Sequence, residues 1–156
     1  MTAIVEASQT RRVIGCAALY GLGGLLIYIT FVDPPHVAMI ILVLALAGGV
    51  LVMADALRRA TKGHIILRED ALMDERGVVL AQLDDIAGVD RGILAFKPSN
   101  GFVLTMKSKQ PRSWAPGLWW RYGRFLGVGG VVSAGQTKFM AEQIAFALAH
   151  RNAEDT

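Results

Sequence analysis

The sequence predicts a membrane α-helical hairpin joined to an α+β, mostly-β domain that ends in a single helix. Three observations point there. Two long uncharged runs fill the first third of the chain, short β-like runs separated by turns fill the middle, and apolar residues recur at helical spacing at the end. The chain has 156 residues, of which 53% are hydrophobic. Its mean hydropathy of +0.42 is high for an ordinary soluble domain, and the apolar excess lies almost wholly before residue 56.

Residues 13–32 carry no charge, and a helix of that length covers roughly 30 Å, the thickness of a bilayer's hydrocarbon core. Residues 37–54 form a second uncharged run, separated from the first only by DPPH at 33–36, where Pro34 and Pro35 stop the first helix. The competing description is a secretory signal followed by a buried core helix. A signal's apolar region is about 7–15 residues long and ends at a small-residue cleavage site. The first run is longer and ends in TFVDPP, which favours two spans. Arg11 and Arg12 precede the first span, Arg58, Arg59 and Lys62 follow the second, and the loop between has no Lys or Arg. The positive-inside rule then puts both termini in the cytoplasm.

Lipid tails are as apolar as leucine, so the two helices are expected to associate through small residues. Ala17, Gly21 and Gly24 share one helical face, and Ala45 and Gly49 offer a matching pair. These faces are expected to meet, with self-association of copies through the same faces as the competing use. Asp55 is placed to pair with Arg59 one turn on. Neither span carries an ionisable group at mid-depth, which argues against an ion or proton carrier. The one cysteine, Cys16, lies in the first span, so neither an intramolecular disulfide nor a cysteine metal site is expected.

The expected divisions are therefore an N-terminal cytoplasmic segment at 1–12, the hairpin at 13–56 and a cytoplasmic domain at 57–156. Within the domain, HIILRE (64–69), ALMDE (71–75) and VVLAQL (78–83) are expected strands, the last two joined through Arg76 and Gly77. A longer run follows at 86–96, then the turn signal KPSNG at 97–101 and a returning strand FVLTMK at 102–107. Ser133 and Gln136 match the S-x-x-Q capping box at the start of a helix. Met140, Ile144, Ala147, Leu148 and Arg151 then form a stripe expected to pack over an open end of the sheet.

The hairpin, the LDDI step at 83–86, the Asn100-Gly101 turn and the terminal helix after GVGG together give a layout that resembles a family of small bacterial inner-membrane proteins of unassigned function. These proteins carry a pleckstrin-homology-like (PH-like) domain and two N-terminal transmembrane helices. The resemblance spans nearly the whole chain, and none of its motifs is specific alone. It implies a bent antiparallel sheet of about seven strands capped by a C-terminal helix, at the cytoplasmic face of the inner membrane. It also implies lipid, peptide or protein binding in place of catalysis.

All three tryptophans, Trp114, Trp119 and Trp120, lie in one Gly- and Arg-rich stretch. Residues 69–90 hold seven acidic side chains and one basic, whereas 91–138 hold eight basic and no acidic ones. Lys107, Lys109, Arg112, Arg121 and Arg124, with Trp114 and Trp119, are the candidates for contact with anionic lipid headgroups or a protein partner. The stretch also fits plain packing, which is the stronger reading. A strand would put Leu118, Trp120, Tyr122 and Leu126 on a buried face and leave Trp114 and Trp119 exposed. A short interfacial helix is the alternative, disfavoured by Gly123. Nucleic acid is not expected, because no nucleic-acid motif accompanies the basic residues.

No cofactor or metal is expected. GLGG (21–24) sits inside a span, and GVGG (127–130) lacks a Walker lysine and a βαβ setting, so a turn or bulge is favoured over a phosphate contact. Topology separates His36 from His64 and His150. Asp84 and Asp85 lack a third catalytic partner and are expected as solvated turn residues. The function expected is non-enzymatic: an interaction module held at the membrane for a protein partner, a lipid, or both. The alternative is an accessory subunit of a larger membrane complex assembled through the hairpin.

Overall fold

The computed structural model describes residues 3–68, 70–90 and 98–154. The expected strand residues 91–96, together with Glu69 and Lys97, lie outside the described residues. The chain divides into two compact units, one made of Gln9–Arg59 and the other of Met1–Ser8 with Ala60–Thr156.

The first unit contains helices α1 (Gln9–Val32) and α2 (Val37–Ala60), both long and apolar enough to cross a membrane. Their break falls at the expected prolines, and the His36 carbonyl accepts the Met39 and Ile40 N–H groups that open α2. On α1 the less exposed positions include Leu19, Gly23, Leu26 and Thr30, and on α2 Val43, Ala47, Val50 and Ala54. Both sets step by four and three residues, the spacing of a knobs-into-holes seam. Gly23 is its tightest point, because a Cβ there would lie 2.7 Å from Leu51. Ala17, Gly21, Gly24, Ala45 and Gly49, expected to meet across the hairpin, are instead exposed, and a Cβ on Gly21, Gly24 or Gly49 would meet nothing. GLGG offers two glycine phases two residues apart, and the seam takes Gly23, which accommodates Leu51. Asp55 accepts a 2.6 Å hydrogen bond from Arg59, as expected, and a further one from Arg58.

Among the described residues the second unit holds seven strands in two antiparallel sheets, not one continuous seven-stranded sheet. Strands β1 (Ala3–Glu6), β2 (His64–Leu67), β3 (Ala71–Asp74) and β4 (Val79–Gln82) pair in sequence order. Strands β5 (Ile86–Asp90), β6 (Phe102–Ala115) and β7 (Trp119–Val128) form the other sheet. The sheets separate because the chain between β4 and β5 leaves the strand direction in a single 3-10 turn, Leu83–Asp85, within the LDDI step.

Strand β1 has no counterpart in the sequence reading. It pairs with β2 across the whole hairpin, Ile4 opposite Ile66 and Glu6 opposite His64. Ala3 and Val5 are buried in the same core as Ile65 and Leu67. The domain therefore includes residues ahead of the first apolar helix as well as those after the second. Helix α3 (Ala134–Glu154) packs against β1, β5 and β6 through Met140, Ala141 and Ile144, all fully buried. The capping-box residues are used differently from the expected motif. Ser133 donates its N–H to the Glu6 carbonyl at 3.3 Å, and Gln136 Oε1 accepts the Glu6 N–H at 3.0 Å, so both bind β1.

Replacing Gly23 by leucine is expected to destabilise the helical hairpin by about 1–3 kcal/mol through overpacking, while Gly21→Leu leaves it unchanged. Thermal unfolding of the purified full chain, followed by helical circular dichroism, compares the two.

Candidate functional site

The tryptophan-rich stretch is the turn end of a hairpin, with Trp114 in β6 and Trp119 and Trp120 in β7, and its side chains follow from irregular pairing on either side of Gln110. Pairing of β6 with β7 runs regularly from Phe102 opposite Val128 to Thr105 opposite Phe125, then jumps to Gln110 opposite Gly123. Several β6 residues are thus accommodated against few on β7, a large bulge that bends the ladder. Gly123 adopts φ +59°, open to glycine at low cost. Beyond it the inward-facing positions change parity: Trp119 and Arg121 are buried on one side of Gly123, Leu126 and Val128 on the other.

A bulge frees backbone groups from the ladder, and these need partners. Asp85, at the corner between the sheets, accepts the Ser108 N–H at 2.9 Å, the Ser108 hydroxyl at 2.5 Å and the Gln110 amide at 2.8 Å. The Ser108 hydroxyl bond, with Gln110 and the Ser108 N–H behind it, holds the Asp85 carboxyl below its ordinary range. A lowered pKa in the fold means that this stabilisation is in force above the ordinary carboxylate pKa and is lost as pH falls through the lowered one. Arg124 Nε donates to the Met106 carbonyl at 2.9 Å. Asp84 pairs with Arg151 of α3, and Arg151 also donates to the Leu83 carbonyl at 2.8 Å. Asp85 is therefore a structural partner at the corner, whereas Asp84, its side chain 89% exposed, is the solvated turn residue expected and pairs with Arg151 at the surface.

Arg121 and Trp119 occupy the inner face of the bent arm. Arg121 is only 9% exposed. Its Nε donates to the Pro111 carbonyl at 3.0 Å and its Nη1 to the Leu80 carbonyl at 3.1 Å. Leu80 lies on β4, the edge of the first sheet, so the guanidinium covers an edge that would otherwise present bare carbonyls. The Trp119 ring, itself buried, lies 6.0 Å from the Arg121 guanidinium carbon. Both residues, expected to touch lipid or a partner, instead hold the two sheets together. A uniform strand phase had placed Trp120 and Tyr122 inward, and the parity change at Gly123 reverses that assignment.

The outer face of the arm carries the remaining candidates. Trp114 is 58% exposed and Tyr122 63%. Trp114 lies opposite Trp120 in register, and the Arg112 guanidinium carbon sits 5.7 Å from the Tyr122 ring centre. These four residues, with Ser113 and Arg121, line an open depression of about 440 Å³. Lys107, Lys109, Arg124 and Phe125 are exposed farther back along the hairpin. Tyr122, expected inward, is exposed, and the neighbouring Gly123 is the signal in the sequence for that change.

GVGG is a packing device. A Cβ on Gly127 would lie 2.3 Å from the Trp120 ring. The Gly129 N–H goes to the Leu118 carbonyl, the Gly130 N–H to Ser99 and the Val131 N–H to Gly117, so these groups are already committed to backbone partners. Among the described residues no group of three His, Cys, Asp or Glu side chains is placed to hold a metal ion.

Comparison with protein-family models, curated proteins and solved structures finds no match.

Replacing Arg121 by methionine removes a charged donor from the carbonyls of Pro111, Val79 and Leu80 and is expected to cost about 2–3 kcal/mol. Arg124→Met, which loses one bond at the surface, is expected to cost less than about 1 kcal/mol. Thermal unfolding of the two variants, followed by tryptophan emission, measures the difference.

Proposed function

We propose that the chain is a membrane-anchored, non-enzymatic interaction module, with its α+β domain held at the cytoplasmic face of a bacterial inner membrane for a protein partner, an anionic lipid, or both. The observation that carries this reading is the pairing of β1 with β2. Those strands flank two helices long and apolar enough to span a bilayer, and a single folded domain cannot have its strands on opposite sides of a membrane. Both helices then enter and leave from one side, and the basic residues Arg11, Arg12, Arg58, Arg59 and Lys62 favour the cytoplasm as that side. The described strands form two sheets where the family resemblance implies one, so the reading rests on the strand pairing and not on that resemblance.

The arrangement suits presentation over catalysis. Only two residues separate β1 from α1 and three separate α2 from β2. At about 3.5 Å per residue these connections reach roughly 10 Å at most, and a tether that short raises the effective concentration of weak surface contacts. The second reading, an accessory subunit assembled through the hairpin, is favoured by the exposed small residues Ala17, Gly21, Gly24, Ala45 and Gly49. In membranes such faces let helices of other chains approach closely.

The test is topology together with anchoring. Reporter fusions at the N- and C-termini are expected both to register the cytoplasm, and the full chain to stay in membranes washed with alkaline carbonate. A carboxyl-terminal reporter active outside the cytoplasm, or release of the protein by carbonate, contradicts the proposal.

A further inference from the structure

We propose that the turn end of the β6–β7 hairpin is a second, peripheral membrane contact: Trp114 sits at the headgroup level of the leaflet that α1 enters, with Arg112 beside it to bind the phosphates of anionic phospholipids. This rests on the reading that the apolar helices span a bilayer, and it adds which surface of the domain meets lipid and through which side chains.

The argument begins with where the chain leaves the domain. Helix α1 starts at Gln9, immediately after Ser8. The Ser8 N–H donates to the Val131 carbonyl at 2.8 Å, and the Val131 N–H donates to the Gly117 carbonyl at 3.0 Å. Ala7 bridges Val132 in the same antiparallel arrangement. Residue 131 thus links Ser8 to the β6–β7 turn through its own carbonyl and its own N–H. Two hydrogen bonds of about 3 Å with one residue's backbone between them span no more than about 10 Å. The turn is held that close to the point of departure by backbone hydrogen bonds within the domain, independently of any flexibility in the connections.

The side chains at that turn suit an interface. Trp114 lies three residues before Gly117 and is exposed, as an indole is when its ring can enter apolar surroundings while its N–H stays among headgroups. Arg112 and Tyr122 follow on the same outer face, their stacking leaving the guanidinium edge free for phosphate oxygens. No acidic residue occurs anywhere between 91 and 138, so the surface has the sign that attracts an anionic leaflet. An acidic protein partner would find the same charge. The hydrogen-bonded nearness of the turn to the root of α1 is what favours lipid.

The experiment uses the full chain reconstituted in vesicles of phosphatidylcholine alone and of phosphatidylcholine with phosphatidylglycerol. Trp114→Phe keeps an aromatic ring and removes one indole, so the difference between wild type and variant isolates the Trp114 emission. That emission is expected to be quenched by brominated phosphatidylcholine and to be shielded several-fold from acrylamide relative to detergent micelles. The phosphatidylglycerol-dependent part of the shielding is expected to fall about fivefold in Arg112→Gln. Trp114 emission that is open to acrylamide and untouched by brominated lipid overturns the inference. So does a Trp114 response to added polyglutamate in the absence of any lipid response, which assigns the surface to an acidic protein. Alkaline carbonate applied to the same vesicles separates the two levels: retention with a solvated Trp114 overturns this inference alone, whereas release overturns the membrane reading beneath it.

Discussion

Everything else in the molecule depends on one backbone interaction, the antiparallel pairing of β1 with β2 across an intervening helical hairpin. Four residues at the start of the chain have little reason to fold alone. They are held because Ala3 and Val5 enter the core beside Ile65 and Leu67, and because Glu6 exchanges hydrogen bonds with both Ser133 and Gln136 at the head of α3. The consequence is topological. An apolar excursion that leaves from one strand and returns to its neighbour begins and ends on one side of any membrane it crosses. The two apolar helices are therefore an insertion within a domain, not a leash ahead of one.

The second constraint is the bulge in the β6–β7 hairpin. A regular ladder through Val128 and Trp119 would carry the hairpin straight away from the core. Residues 106–109, which have no opposite number on β7, bend it back over β4, and the freed groups are satisfied by Asp85 and Arg124, while Arg121 covers the β4 edge. One arm thereby acquires two different faces. Its inner face is a structural clamp of Trp119 and Arg121. Its outer face, with Arg112, Trp114 and Tyr122, is left to solvent or to something else.

Much of this was legible in the sequence, and the failures have definite causes. The two long apolar helices, the Arg76-Gly77 turn, the Asn100-Gly101 turn and the Met140–Ile144 stripe follow from local chemistry and lie where expected. Strand β1 was not legible, because AIVE is too short to carry a period and its partner lies beyond both helices. Alternation does not give the phase of β7 because it presumes an unbroken strand, and the irregular pairing around Gly123 exchanges its faces. The seam of the hairpin was misplaced for a related reason: GLGG contains neighbouring glycine phases, and only the position of Leu51 on the other helix chooses between them.

The most direct test of the central pairing is a cross-link between its two ends. With Cys16 replaced by serine, cysteines introduced at Glu6 and His64 face each other in register. The account predicts rapid intramolecular joining by a short bismaleimide in the membrane-embedded full chain, abolished by denaturant. Failure to join in the folded protein, or joining only between separate chains, would contradict it.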